Sequence, residues 1–307
     1  MRLVAARPRP FLKWAGGKSR LLKQITDYLP PELKQGRVRR YIEPFVGGGA
    51  MLLYMASHYQ VAELVICDLN PELILCYQVI RRDVACLIDR LAELEQAYLH
   101  AHPICREEMF YSVRQQLNHN RRQLSFQHYT AAWIERAAQI IFLNHTCFNG
   151  LYRLNASGDF NVPFGKYTQP RVYHASNLHT IARLLQDALI LQGDFQACAP
   201  YVDRHTFVYF DPPYRPISRT ASFTSYAQAD FRDEEQHRLA RFFRGMHTRG
   251  ARLMLSNSDP KNIDPHDAFF DDLYAGFAMH RVIAGRVINV RSDRRGQISE
   301  LLITNYG

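Results

Sequence analysis

The chain has no apolar run long enough to cross a membrane. Uninterrupted examples such as Ile140–Leu143 and Phe207–Phe210 fall far short of the ~20 residues a spanning helix needs. The opening stretch, Met1–Pro10, has basic residues and prolines but lacks an apolar centre, so it does not read as a signal peptide. There is no C-x-x-C pair. The cysteines at 67, 76, 86, 105, 147 and 198 lie far apart, which argues against a zinc site or a disulfide framework. Free thiols in or near a core, in a reducing cytoplasm, fit that spacing better. Two nucleotide motifs are also incomplete. Gly17-Lys18-Ser19 suggests a phosphate-binding loop, but the position five residues earlier holds Leu12 instead of glycine. Gly47 and Gly49 are followed by Leu52, which breaks the G-x-G-x-x-G pattern and argues against a nicotinamide enzyme.

What is present is a chain of 307 residues with 47% hydrophobic content, enough to bury a full core in one large domain or two smaller ones. The net charge is +9 and unevenly spread. Residues 1–40 hold eleven Lys/Arg against two acids, and 281–296 adds Arg281, Arg286, Arg291, Arg294 and Arg295 against Asp293. Such clusters favour a polyanion, though a basic face can also be merely solvated.

Two textures alternate along the chain, without internal repeats or low-complexity segments. Short β-rich runs at Arg40–Glu43, Glu63–Asp68, Leu189–Asp194, Thr206–Asp211 and Arg252–Asn257 each read as a buried strand opening into a loop. Helical patterns such as Ala50–Tyr59 and Asp233–Met246 separate several of them. Strands alternating with helices predict an α/β fold with a doubly wound, mostly parallel sheet whose ligands bind at the strands' carboxyl ends. The stretch after Pro71 differs. Residues 72–99, 106–123 and 129–144 show helical spacing, and two β-rich arms then flank Asn155-Ala-Ser-Gly158, a hairpin signal. The predicted organisation is one domain from 1–70 and 175–307, interrupted by a helical insertion at 71–174 with its hairpin near 151–167.

Phe11-Leu-Lys-Trp-Ala-Gly-Gly-Lys-Ser19 offers an aromatic ring (Trp14) and a cation (Lys18) on a glycine turn, able to grip a flat ligand with a carboxylate. A plain basic turn at a helix start fits it too. Glu43-Pro-Phe-Val-Gly-Gly-Gly-Ala50 follows a strand and precedes an apolar helix, so its glycines let backbone approach a ligand. Asp68 comes 19 residues after Gly49 at a strand end, placed to accept from ribose hydroxyls. Gly193-Asp194-Phe195 offers a carboxylate for an adenine amine and a ring for its face. The strongest signal is Asp211-Pro-Pro-Tyr214 after the apolar run Thr206–Phe210. An adenine amine is a poor nucleophile because its lone pair is delocalised into the ring. A carboxylate and a backbone carbonyl that accept its two hydrogens free that lone pair. The prolines stiffen the segment and lack N–H groups, and Tyr214 gives an extruded base a face to stack on.

With these motifs together, the chain resembles Dam-like adenine-N6 DNA methyltransferases of the α arrangement over nearly its whole length. The shared landmarks occur in the same order: F-L-K-W-A-G-G-K, E-P-F-V-G-G-G, D-P-P-Y, Leu255-Ser-Asn-Ser258 and Ile298-Ser-Glu-Leu-Leu-Ile-Thr-Asn-Tyr306. Phe148-Asn-Gly-Leu-Tyr-Arg-Leu-Asn155 and Gly158-Asp-Phe-Asn-Val-Pro-Phe-Gly165 resemble the hairpin by which GATC-methylating members read DNA. The resemblance implies a Rossmann-like methyltransferase sheet with an inserted target-recognition domain. It also implies that Trp14, Lys18, Asp68 and Asp211 are the main contacts to S-adenosylmethionine, completed by Phe45, Gly47, Gly49, Asp194 and Phe195. Asp211, Pro212 and Tyr214 would hold the flipped adenine. Lys13 would read the first guanine, and Leu151 and Arg153 the far side of the site. Phe148 and Asn149 would fill or flank the gap, with Pro163 and Lys166 on the second arm. Two positions depart from the pattern: Phe148 stands where some relatives carry tyrosine, and His145 where some carry arginine.

The implied partner is double-stranded DNA, with no membrane and the chain acting as a monomer in the cytoplasm at the nucleoid. The implied transfer needs neither metal nor covalent intermediate. Two rivals remain at this stage. One is a methyltransferase acting on cytosine-N4, RNA or a protein glutamine, for which Ser or Asn before Pro-Pro-Tyr would be expected instead of Asp211. The other is a non-enzymatic binder using its basic face alone, which leaves the glycine loops and Asp211 without purpose.

Overall fold

A computed structural model of the chain describes residues 7–14, 16–18, 21–215, 231–284 and 298–307. Of the second basic cluster, Arg281 is among these; Arg286, Arg291, Arg294 and Arg295 lie outside the described residues. The chain divides into two compact units: Met1–Gly17, Gly47–Ser57 and Asp68–Gly193 form the first, and Lys18–Val46, His58–Cys67 and Asp194–Gly307 the second.

A seven-stranded sheet has the order β3-β2-β1-β4-β5-β7-β6. Its strands are β1 (Arg40–Glu43), β2 (Glu63–Asp68), β3 (Leu189–Gln192), β4 (Thr206–Phe210), β5 (Arg252–Ser258), β6 (Ala278–Ala284) and β7 (Ile298–Thr304). β1 runs parallel to β2 and β4, and β4 parallel to β5. β7 runs antiparallel between β5 and β6. The fold is the expected α/β class with a mostly parallel, Rossmann-like sheet. The five predicted strands are present, whereas β6 and β7 carry no strand signal in the reading above.

Within the second unit, the sequence accounts for the depth of β4. Every residue of Thr206-Phe-Val-Tyr-Phe210 is 0% exposed, because a strand parallel-paired on both edges needs apolar side chains on both faces. Chain order reverses between β1 and β4, and in such sheets that switch point opens a crevice at the carboxyl ends. Asp211 is the first residue past β4. The amphipathic helix Asp233–Thr248 opens with three acids in its first turn, which suits the positive helix start, and buries Leu239, Phe242, Phe243 and Met246.

The first unit is mainly helical: α3 (Ala50–His58), α4 (Pro71–His100), α5 (Pro103–Asn120), α6 (Ala132–Thr146) and α7 (Ala175–Leu184), while α1 (Leu22–Asp27) and α2 (Pro31–Lys34) belong to the second. Asn70 caps α4 by accepting from the Glu72 and Leu73 N–H groups, and Pro71 takes the first helical position. α4 breaks at Asp83, whose φ of −132° is not helical and whose carboxylate accepts from the Tyr129 hydroxyl. Arg136 on α6 forks onto buried Glu72 of α4 and donates 2.9 Å to the Leu117 carbonyl of α5. One guanidinium thus ties three helices, which is the bidentate geometry a buried pair requires.

The two arms beyond α6 are not regular strands, as their β-rich composition would suggest. They meet at isolated antiparallel bridges, Leu154 with Phe160 and Cys147 with Phe164. Backbone bonds join the arms at a few points, such as Asn161 N–H to the Arg153 carbonyl, and α5 with Arg121 just past its end takes further groups. Asn118 accepts 2.8 Å from the Phe160 N–H and donates 3.1 Å to its carbonyl, Arg114 donates to Val162 and Arg121 to Ser157. Pro163 also has no N–H to offer a ladder. The turn itself is as expected: the Asn155 side chain accepts from the Ser157 and Asp159 N–H groups, and Gly158 has φ +80°. Cys67, Cys76, Cys147 and Cys198 are buried; Cys86 and Cys105 are exposed, contrary to a core position for all six. Among the described residues, no helix is long and apolar enough to span a membrane.

Candidate active site

In the first unit, the glycine loop and the strand-end acid meet. The Asp68 carboxylate accepts 3.0 Å from the Gly47 N–H and 2.9 Å from the Asn70 N–H. Burial lifts its pKa above the ordinary aspartate value, against the pull of the Asn70, Gly47 and Leu69 N–H groups. Gly47 has φ +49° and Gly49 φ +73°. The Trp14 side chain packs against the loop: a Cβ on Gly47 would come 3.0 Å from its ring, and one on Gly48 3.0 Å from its Cβ. The Tyr77 hydroxyl donates 2.9 Å to the Gly47 carbonyl, and a Cβ on Gly49 would strike that same oxygen. The result is a loop whose shape depends on bare backbone.

The same unit carries the residues expected to read DNA. Tyr152 stacks on Trp14 at 5.2 Å between centroids, so the arm bearing Leu151 and Arg153 rests on the glycine loop's aromatic lid. Phe148 is 52% and Leu151 40% exposed, large apolar surfaces presented outward. Asn149 between them has φ +55°, a left-handed backbone that aims its neighbours apart. Arg153 Nε donates 2.8 Å to the Asn161 side chain on the opposite arm, which holds the exposed guanidinium in one orientation. Pro163 and Lys166 are exposed on that second arm, Lys166 with φ +58°. Lys13 is pinned by both its backbone groups to Asn144, at 2.8 and 2.9 Å, and its ammonium lies 5.1 Å from the Tyr167 ring centre. His145, in the position where some relatives have arginine, reaches the Phe11 carbonyl at 3.1 Å, and burial lowers its pKa.

In the second unit, Asp211, Pro212 and Tyr214 follow β4. Asp211 accepts from Lys18 Nζ at 2.7 Å and from Ser256 Oγ at 3.0 Å. Lys18 is 4% exposed and lies 4.5 Å from the Tyr214 ring centre. The Gln236 side chain donates 3.2 Å to the Pro213 carbonyl and accepts from Asn257, which bolts the two prolines to β5. The Tyr214 hydroxyl donates to Glu300, and burial pushes that phenol's pKa well above the tyrosine value.

Asp194 is not the last residue of a strand: β3 ends at Gln192, and Asp194 caps the short helical turn Phe195–Tyr201. Arg238 holds its carboxylate bidentately at 2.9 and 2.6 Å. Burial works to raise the Asp194 carboxyl, but Arg238 and the N–H groups of Gln196 and Phe195 outweigh it and keep it below the usual range. Phe195 is 2% exposed, with Phe45 5.5 Å away and the Arg238 guanidinium 4.3 Å from its ring.

Several of these supports are not apparent from the sequence alone. Asn70 is legible in hindsight, since Asn-Pro-Glu is a helix start. Ser256 and Glu300 fall inside motifs quoted above that carried no assigned role. Tyr152 likewise falls inside the motif Phe148–Asn155, whereas Tyr77 and Arg238 leave no signal, because each acts on a partner far away in the chain.

A doubly wound sheet of this order, with Asp-Pro-Pro-Tyr issuing from its most deeply buried strand, has the architecture of a Rossmann-like methyltransferase. Residues 14–288 match the D12 class N6 adenine-specific DNA methyltransferase family, and the chain belongs to that family. The type II methyltransferase M.MjaIII of Methanocaldococcus jannaschii is 48% identical over 299 residues, 97% of this chain and 99% of that one. The DNA adenine methylase of Escherichia coli K12 is 30% identical over 295 residues, 96% of this chain and 94% of that one. The DNA N-6-adenine-methyltransferase of Escherichia phage P1 is 34% identical over 294 residues, 96% of this chain but 35% of the longer phage protein. The protein is an adenine-specific DNA methyltransferase.

Proposed function

We propose that this enzyme transfers the methyl group of S-adenosylmethionine to adenine N6 in duplex DNA, within GATC, acting as a monomer where the DNA lies in the cytoplasm. The family membership supports the donor, and the hairpin motifs support the target. Residues 71–174 serve target recognition, and the segments 1–70 and 175–307 serve catalysis.

The residues present suit such a donor. Gly47 and Gly48 have no side chain, which lets Trp14 pack directly on their backbone and sets its ring beside the loop and Asp68. Asp68 ends β2 with a carboxylate already organised by backbone N–H groups and able to accept from hydroxyls. Trp14, Gly47, Gly49 and Asp68 in the first unit, and Lys18, Phe45, Asp194, Phe195 and Asp211 in the second, are assigned to it. The donor, when bound, supplies an electrophilic methyl on a sulfonium.

The chain's own groups act on the base. Adenine leaves the stack at a cost of a few kcal/mol and lies on the Tyr214 ring. The Asp211 carboxylate and the Pro212 carbonyl accept the two amine hydrogens, which draws the nitrogen toward tetrahedral geometry and exposes its lone pair. Positioning supplies most of the rate, because the reacting atoms need to be held about 3–3.5 Å apart. Lys13, Phe148, Asn149, Leu151, Arg153, Pro163 and Lys166 bind the DNA, with Arg153 forking onto a guanine in the major groove.

The observation that carries this reading is the placement of Asp211 at the tip of wholly buried β4, held there by Lys18 and Ser256. Sequencing with modified-base detection, on DNA from a methylation-deficient host expressing the chain, tests it. N6-methyladenine in GATC is expected, and its disappearance with Asp211→Ala; unmodified adenine from the wild type would sink the reading.

A further inference from the structure

Two of the motifs shared with the family, Leu255–Ser258 and Ile298–Tyr306, supply no residue that touches the base, the donor or the DNA in the reading above. Both are strands of the second unit, β5 and β7, paired antiparallel with Ser258 opposite Glu300. Each sends one side chain to the Asp-Pro-Pro-Tyr box. Ser256 donates 3.0 Å to Asp211, and Glu300 accepts from the Tyr214 hydroxyl. Lys18 spans the two, 2.7 Å from Asp211 and 4.5 Å from the Tyr214 ring centre.

An aromatic side chain serves as a stacking platform only if its plane is fixed, since two rotatable bonds set where the ring lies. Lys18 constrains the face of the Tyr214 ring, and the hydroxyl is the point at which rotation of the side chain can be stopped. Glu300 provides that stop from a sheet strand, a rigid element. We propose that Glu300 is a positioning residue for methyl transfer: it fixes the Tyr214 ring on which the extruded adenine stacks. This rests on the reading that Tyr214 carries the base. Burial raises the Glu300 pKa, with Lys18 pulling against it, so the carboxyl sits in a dry, charged setting where its hydrogen bond to a phenol is strong.

The hypothesis is tested with a double-mutant cycle on the full chain, read as the single-turnover rate of methylation of unmethylated genomic DNA with S-adenosylmethionine in excess. Glu300→Ala removes the acceptor and Tyr214→Phe removes the donor while keeping the ring. Each is expected to slow the step by about tenfold or more, with the KM values for DNA and for the methyl donor unchanged. The double variant is expected to be no slower than the slower single one, and Glu300→Gln, whose amide oxygen still accepts, to recover most of the rate. A double variant whose losses multiply would overturn the proposal. So would a raised KM with an intact single-turnover rate. If Glu300→Ala does not fold, Tyr214→Phe decides alone, and a wild-type rate there overturns it. The wild type run alongside keeps the two questions apart: no methyladenine from it sinks the proposed reaction, whereas normal wild-type turnover with unaffected variants sinks only the role of Glu300.

Discussion

Lys18 Nζ lies 2.7 Å from Asp211 and 4.5 Å from the Tyr214 ring centre, so one buried ammonium contacts both ends of the Asp-Pro-Pro-Tyr box. Lys18, near the start of the chain, therefore bears on a tetrapeptide almost two hundred residues later. Lys18→Met keeps the stem and removes the charge. Methyl transfer should slow by about a hundredfold, the scale of losing one fixed donor in a dry site, while DNA affinity in a filter-binding assay stays near wild type. Equal losses of DNA binding and rate would instead place Lys18 on the DNA.

The Gly49 backbone has a φ of +73°, and a side chain there would collide with the Tyr77 hydroxyl that holds the Gly47 carbonyl. Gly49→Ala should cost about 1–2 kcal/mol from backbone handedness alone, with the collision added. Chemical denaturation measures this. Tyr77→Phe in the same chain should return part of the loss by removing the obstructing oxygen; a double variant as unstable as the sum of the singles would show that the clash is not the cause.

Asp68 has a folded pKa raised by burial above the usual aspartate value. Its carboxylate must be ionised to accept from two hydroxyls as well as from backbone. As pH falls, protonation begins at a higher pH than for an exposed aspartate, so affinity for S-adenosylmethionine should fall in that same range and be regained as pH rises. Calorimetric titration across pH should show this slope in the wild type and lose it in Asp68→Asn. A slope that persists in the variant assigns it to another group.

Arg153 is braced by Asn161 at 2.8 Å across the two arms. Arg153→Ala should lower discrimination at one base pair by about 1–3 kcal/mol, measured as relative methylation rates over a set of variant sites. Asn161→Ala, which leaves the arginine but frees it, should produce a weaker form of the same pattern. An unchanged site profile in Arg153→Ala would remove the arginine from sequence reading.

Much of the frame was legible from residue order. Thr206-Phe-Val-Tyr-Phe210 announces a central strand because it is apolar at consecutive positions, and Asp211 marks its end. The edge was harder to read. In β6, Ala278–Ala284, polar His280 and Arg281 interrupt the apolar residues, and in β7 Ser299 and Glu300 do the same at its start. The arms near 151–164 look like a regular hairpin by composition; they pair only at isolated bridges and a few backbone bonds, and Asn118, Arg114 and Arg121, over thirty residues earlier, take further backbone groups. Asp194 looked like a ligand-ready carboxylate and is held by Arg238, over forty residues later.

Sequence by itself determined the class of sheet, the placing of the Gly47–Gly49 loop after β1 and of Asp68 and Asp211 at the ends of β2 and β4, and the residue types that the Asp-Pro-Pro-Tyr box presents. These follow from local periodicity, backbone freedom and side-chain type, which neighbouring residues settle among themselves. Only the tertiary structure decided which partners hold those groups: Lys18 and Ser256 on Asp211, Glu300 on Tyr214, Tyr77 on the glycine loop. Such contacts join residues distant in the chain, and a hydrogen bond is set by angstrom-scale geometry that exists only once the elements have packed.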